Sequence, residues 1–189
     1  MPKSYRLPKH ILPTRYDLHI QPMFTAKKEP IFYNGRIKMY LNCVVTTSKL
    51  MFNMKDIELT SYLVNEDGGD EMRVNFNYTY EEDTQFFVAD NLKAKDGSAF
   101  FKAGKKYVFS ATFKVNVRND NVGFYKSSYV DADGTTKWLL TSQMEPVDAR
   151  KAFPCFDEPD FKAEFQITVL HDYTLKALTN MPMESQVGL

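Results

Sequence analysis

The sequence predicts an all-β fold: a mostly antiparallel β sandwich or large curved, saddle-like sheet with at most one short helix near residues 146–152. Three observations carry that expectation. Apolar and polar residues alternate with a period of two through most of the chain, the pattern of strands with one buried and one wet face. Fifteen Phe and eleven Tyr stand beside only eight Gly in 189 residues, and aromatic side chains suit a pleated, half-buried surface. Turn residues punctuate the alternating runs at intervals of roughly ten to twenty positions.

The runs follow in order. Tyr16, Leu18 and Ile20 alternate with Asp17 and His19. Asn34-Gly35 reads as a turn, after which Ile37, Met39, Leu41, Cys43 and Val45 resume the alternation. Leu50, Phe52 and Met54 form a third run. The loop Glu66-Asp67-Gly68-Gly69-Asp70 precedes a fourth apolar face: Met72, Val74, Phe76, Tyr78 and Tyr80. The longest face is Tyr107, Phe109, Ala111, Phe113, Val115 and Val117. Asp131-Ala132-Asp133-Gly134 reads as a hairpin loop between Phe124–Tyr129 and Lys137–Thr141. That loop lacks the later ligand positions and terminal Glu of a calcium-binding loop. Pro146 to Ala152 is the one helical stretch, with Pro at a permitted first position and Pro154 ending it. Ala163, Phe165, Ile167 and Val169 close the series as a half-buried strand.

Composition narrows the function. The 24 basic and 24 acidic residues balance, and no basic stripe suggests a nucleic-acid partner. No apolar run approaches the roughly 20 residues that span a bilayer, and the first residues lack the apolar core of a signal peptide. Cys43 and Cys155 read as two separate buried thiols. His10, His19 and His171 have no His-Glu-x-x-His spacing, the arrangement that places two zinc ligands and a general base on one helix face. Cys155 lies between Pro154 and Phe156, apolar surroundings that keep a thiol protonated and inert. No catalytic residue is therefore assigned within the chain.

Gln143-Met144-Glu145 is the candidate binding segment. It follows the strand Trp138–Ser142, and strand geometry turns Gln143 and Glu145 the same way. A carboxylate beside an amide can hold an ammonium group, one supplying charge and the other a directed acceptor. The plainer reading, which the pattern alone favours, makes Glu145 a solvent-facing acid that caps the helix expected at Pro146. Phe153, Phe156 and Phe161 read as core, and Arg150 as an ion-pair partner for Asp157 and Glu158. Asn77-Tyr78-Thr79 is an N-glycosylation acceptor with Asn77 on the wet phase of its strand, which tilts the compartment toward an extracellular or membrane-anchored ectodomain.

Four blocks in order resemble the N-terminal β domain of M1-type zinc aminopeptidases. They are Arg6–Leu18, Asn34-Gly35-Arg36-Ile37, Gly123–Tyr129 and Ala177–Pro182, with the most specific stretch, Thr141–Phe161, between the last two. The resemblance implies one β domain over residues 1–189 that stops short of the family domain's last strands, with the catalytic domain lying outside it. It implies that Glu145 binds the free α-amine of a peptide substrate and that Gln143 lines the pocket for the first side chain, with Met144 a weaker candidate. It also implies a zinc ion held by the catalytic domain and none held here, and two partners: the peptide N-terminus and that catalytic domain. Two alternatives stay open: a stand-alone, non-catalytic peptide- or protein-binding β module, and a parent that has lost its zinc ligands. A docking domain is expected to bare an apolar patch around Gln143–Asp160, and a stand-alone module to present a polar surface there and behave as a monomer.

Overall fold

The computed structural model describes residues 4–68 and 76–188. Among the described residues ten strands form three sheets, and the only helix is a three-residue 3-10 turn, Ala149–Lys151. The strands are β1 (Ile11–Phe24), β2 (Pro30–Cys43), β3 (Leu50–Asn53), β4 (Glu58–Glu66), β5 (Thr79–Glu81), β6 (Phe86–Ala89), β7 (Lys106–Asn116), β8 (Gly123–Val130), β9 (Thr136–Gln143) and β10 (Glu164–Val169). A five-stranded sheet runs β10-β1-β2-β7-β4, a three-stranded sheet runs β3-β6-β5, and β8-β9 form a hairpin. Every pairing is antiparallel except β1 with β10.

The period of two does what it should in the central strands. Tyr16, Leu18 and Ile20 of β1, Ile37, Met39 and Leu41 of β2, and Tyr107, Phe109, Ala111, Phe113 and Val115 of β7 are all buried. The smaller sheet meets them through aromatic rings. Phe52 of β3 stacks on Phe87 of β6 at 4.2 Å and reaches Phe109 of β7 at 5.0 Å. Such ring pairs add to the hydrophobic gain of burying large side chains.

Four expectations need correction. Asn34-Gly35 is not a turn: β2 runs straight through it, and β1 turns into β2 at Thr25–Glu29, where Thr25 N–H donates to the Glu29 carbonyl at 2.8 Å. Gly35 is there for space, since a Cβ would lie 2.0 Å from Cζ of the buried Phe113 ring. The alternation also fails at Val45, which is half-exposed beyond the end of β2.

Of the face expected over Met72–Tyr80, the described part, 76–80, is strand only from Thr79, in β5. Phe76 and Tyr78 still turn inward, their rings 5.2 and 5.4 Å from Tyr62, but their backbone lies outside the strand. Met72 and Val74 lie outside the described residues. The last correction concerns β10, which forms as expected but stays uncovered. Phe165, Ile167 and Val169 are 50%, 55% and 41% exposed, because the strand sits at the sheet edge.

The close contact at Gly35 yields a test. Gly35→Ala should cost about 1–3 kcal/mol in urea unfolding, the usual range for overpacking a filled core. Adding Phe113→Leu should make the pair less destabilising than the sum of the single changes, as for residues in contact. Strict additivity would show that the ring does not dictate the glycine.

Candidate functional site

The candidate site hangs on a strap, residues 144–161, that leaves β9 and crosses the core side of the sheets. The strap begins where the β8-β9 ladder ends, at the pair Gly123 with Gln143. Gly123 has φ +63 and lies so close to the strap that a Cβ would meet Lys151 Cβ at 3.2 Å. A side chain there would be strained in backbone and crowded in space.

Met144 fixes the turn that follows. Its side chain packs against the core, and its carbonyl accepts the N–H groups of Asp148 at 2.9 Å and Ala149 at 3.1 Å. The helix expected over Pro146–Ala152 therefore shrinks to the 3-10 turn. Donors that would start a helical ladder converge on one carbonyl, and residues 145–148 form a turn around it. The Glu145–Pro146 peptide is cis.

These facts alter the reading of Gln143 and Glu145. Glu145 is not a strand residue, since β9 ends at Gln143. The two are held together instead by Gln143 Nε2, which donates to the Glu145 carbonyl at 3.2 Å. That bond leaves the Gln143 amide oxygen as the free acceptor. Glu145 does not cap the 3-10 turn, whose N-cap position is Asp148 with no side-chain cap bond. Among the described residues no cation pairs with the Glu145 carboxylate, and both Gln143 and Glu145 are exposed. The arrangement is an open-edged carboxylate beside an amide oxygen on a fixed backbone.

Beyond the turn the strap is bolted down. Asn53, 1% exposed, exchanges two backbone hydrogen bonds with Cys155, at 2.8 and 3.0 Å, and its Oδ1 accepts Asp157 N–H at 3.0 Å. Tyr33 OH donates to the Ala152 carbonyl at 2.7 Å, and Tyr16 OH accepts Phe156 N–H at 3.1 Å. Burial pushes both phenols far above their ordinary range, so they stay neutral. Arg150 Nε donates to Asp157 Oδ2 at 2.8 Å, and Nη2 donates to the Asp157 carbonyl at 3.1 Å. Glu158 goes elsewhere, to Leu7 N–H at 2.6 Å and Arg6 at 3.3 Å, tying down the N-terminal segment. Phe153, Phe156 and Phe161 are buried as expected.

Cys43 and Cys155 are separate and buried, and burial raises both thiols, Cys155 strongly. Among the described residues no group of three or more His, Cys, Asp or Glu side chains is arranged to hold a metal ion. The donors present do not fit zinc. Asn77 is exposed, just before β5.

Sequence reasoning missed Asn53, Tyr16 and Tyr33 as holders of the strap. Asn53 carried a signal: a polar residue inside the apolar run Met51-Phe52-Asn53-Met54. The apolar patch expected of a docking domain around Gln143–Asp160 is absent among the described residues, which by that criterion alone is the surface of a stand-alone module. Within 143–160 Val147 is the one large apolar side chain bared among the described residues. Phe165, Ile167, Val169 and Leu170 on or next to β10, and Tyr129, Val130 and Leu139 on the hairpin, carry the exposure instead.

Comparison with known proteins converges on one family. A family model described as the peptidase M1 N-terminal domain matches residues 12–189. Glutamyl aminopeptidase of Bos taurus is 32% identical over 187 residues, covering 97% of this chain and 18% of that protein. Aminopeptidase N of Bos taurus is 34% identical over 183 residues, covering 94% and 18%. Aminopeptidase N of Rattus norvegicus is 33% identical over 189 residues, covering 97% and 19%. The chain thus spans only about 18–19% of the length of these relatives.

The strap's ion pair makes a stability prediction. Its side chains are 11% and 13% exposed, and removing one member of a buried pair strands the other. Arg150→Ala should lower unfolding free energy by about 3 kcal/mol. A loss below about 1 kcal/mol in urea titration, the level of a surface pair, would refute the structural role.

Proposed function

The chain belongs to the peptidase M1 N-terminal domain family, and from that premise we propose that it is the substrate-anchoring part of a zinc metallo-aminopeptidase. Such an enzyme removes residues one at a time from peptide N-termini. In this reading residues 1–189 act as one β domain, and Glu145 binds the free α-ammonium of the peptide. Gln143, through its unspent amide oxygen, lines the space for the first side chain, with Met144 a minor contributor. The observation that carries the reading is the Glu145 carboxylate: exposed, without a cationic partner among the described residues, relieved of any capping duty, and set on a backbone that the strap holds still.

The physics fits that role. A fixed carboxylate facing an ammonium marks where a peptide begins, so the first peptide bond is presented at one place and internal segments are refused. Holding the reactant in position accounts for much of an enzyme's advantage. In this reading the zinc and the bond-breaking groups belong to the catalytic domain. The bare apolar residues of β10 and of the hairpin support a segment that packs against further protein.

The test compares this chain, with added zinc, to the same chain extended into its catalytic domain, using aminoacyl fluorogenic substrates. Activity should appear only in the extended protein. There Glu145→Ala should lower kcat/KM roughly tenfold to a hundredfold, the worth of one charge-assisted hydrogen bond, with melting unchanged. Silence from both proteins would favour the non-catalytic binding module. Activity from the short chain would overturn the assignment of roles.

The proposed reading extends to compartment, as an ectodomain glycosylated at Asn77. Its side chain is exposed between two inward-turned rings, Phe76 and Tyr78. Expressed through a secretory pathway, the protein should shift in mass on treatment with an N-glycosidase, and Asn77→Gln should abolish the shift. No shift in the parent would remove the support for an ectodomain.

A further inference from the structure

The face of the five-stranded sheet turned away from the strap carries a second feature. His19, Arg36 and Thr112 stand side by side across β1, β2 and β7, as the register dictates. Gln21 and Asn34 form the next rung. With Thr60 these six side chains border a depression of about 270 Å³.

Its chemistry is one-sided. The border holds one guanidinium, one imidazole, two amides and hydroxyls, and no carboxylate. Among the described residues no hydrogen bond or ion pair engages the side chains of His19, Gln21, Asn34 or Arg36. The nearest acid on this face of β1 is committed elsewhere: Asp17 accepts from Arg15 at 2.6 Å and from Tyr40 at 3.0 Å.

The hydroxyls are gathered by a β-bulge. The register of β4 against β7 shifts between Leu59 and Ser61, so that both Thr60 and Ser61 reach Thr112 Oγ1, at 2.7 and 2.6 Å. Bulges re-aim side chains in this way. Three hydroxyls carry three protons and make two bonds among themselves, which leaves one donor unspent in a cluster of which Thr60 and Thr112 border the depression.

We infer that this depression is a binding site for a tetrahedral oxyanion, a phosphate or sulfate group, with Arg36 as its charge and the Thr60–Ser61–Thr112 hydroxyls and the Asn34 amide as its neutral donors. Guanidinium is suited to this because its fork of N–H groups matches the spacing of oxyanion oxygens. The site is independent of the anchoring role of Glu145, being built from other strands on the opposite face of the sheet.

The test is calorimetric titration of the 189-residue chain with inorganic phosphate, with inorganic sulfate and with a sulfated disaccharide, all at constant ionic strength. Saturable binding of at least one probe is expected, weakened at least tenfold in Arg36→Gln and in Asn34→Asp, which places a carboxylate in the depression. Lys95→Gln, on a distant loop, should bind like the parent. Arg36, Asn34 and Lys95 are exposed, so all three variants should melt with the parent. Tighter binding of the disaccharide than of inorganic sulfate assigns the anion to a sugar, and the reverse assigns it to the free ion. No saturable binding of any probe, or equal binding by Arg36→Gln, overturns the inference.

Discussion

Asn53 joins the strap to the sheets. Its main chain pairs with Cys155 in both directions, and its side chain takes the N–H of Asp157. A strap crossing a hydrophobic core brings backbone donors and acceptors into a place without water, where each must find a partner or cost free energy. The strap's partners come one from each neighbouring element: Asn53 at the end of β3, Tyr33 from β2, Tyr16 from β1. Because the phenols stay neutral and buried, these bonds hold across the physiological pH range. The phenylalanines of the strap are packed by this polar framework as much as they pack it.

The central strands were legible because their environment is simple. β1, β2 and β7 have one dry face and one wet face, so burial follows the period of two. The β8-β9 hairpin was legible from its turn, where Gly134 takes φ +80. β4 and β6 were not foreseen, for opposite reasons. In β4 the bulge after Leu59 shifts the phase midway through the strand. In β6 all four residues, Phe86 to Ala89, are buried, so no alternation exists to detect. Asn34-Gly35 misled because the local signal for a turn is the same residue pair that a tertiary contact, the Phe113 ring, can require inside a strand.

The candidate segment stood out in the sequence, but the form it takes did not. The place of Gln143 and Glu145 after a strand drew attention to them, their binding roles came from the family resemblance alone, and the structure sets the two side by side. It does so by a side-chain bond to a carbonyl rather than by strand phase. The expected helix had a permitted first proline and a good stop. What prevented it was the Met144 carbonyl, which draws both Asp148 and Ala149 N–H groups. Hydrogen-bond competition of this kind is invisible to local propensity.

On the proposed reading, this form is what an anchoring role requires. A carboxylate that must wait for an ammonium cannot be neutralised by its own chain, so it has to stand at an open edge. An open edge is where chains are normally mobile, and a mobile acid would define no position. The strap resolves that conflict. Met144 is fastened by its packed side chain and its doubly used carbonyl, and it lies between Gln143 and Glu145. Its contribution is then to the placement of its neighbours more than to contact with a ligand. Downstream, the Arg150–Asp157 pair and the Asn53 bonds keep the far end of the turn from shifting. Rigidity is supplied by buried groups that never meet the peptide, and charge by an exposed group that does little for the fold. That separation explains why the most specific stretch of the sequence is long, although only two or three of its residues would touch a substrate.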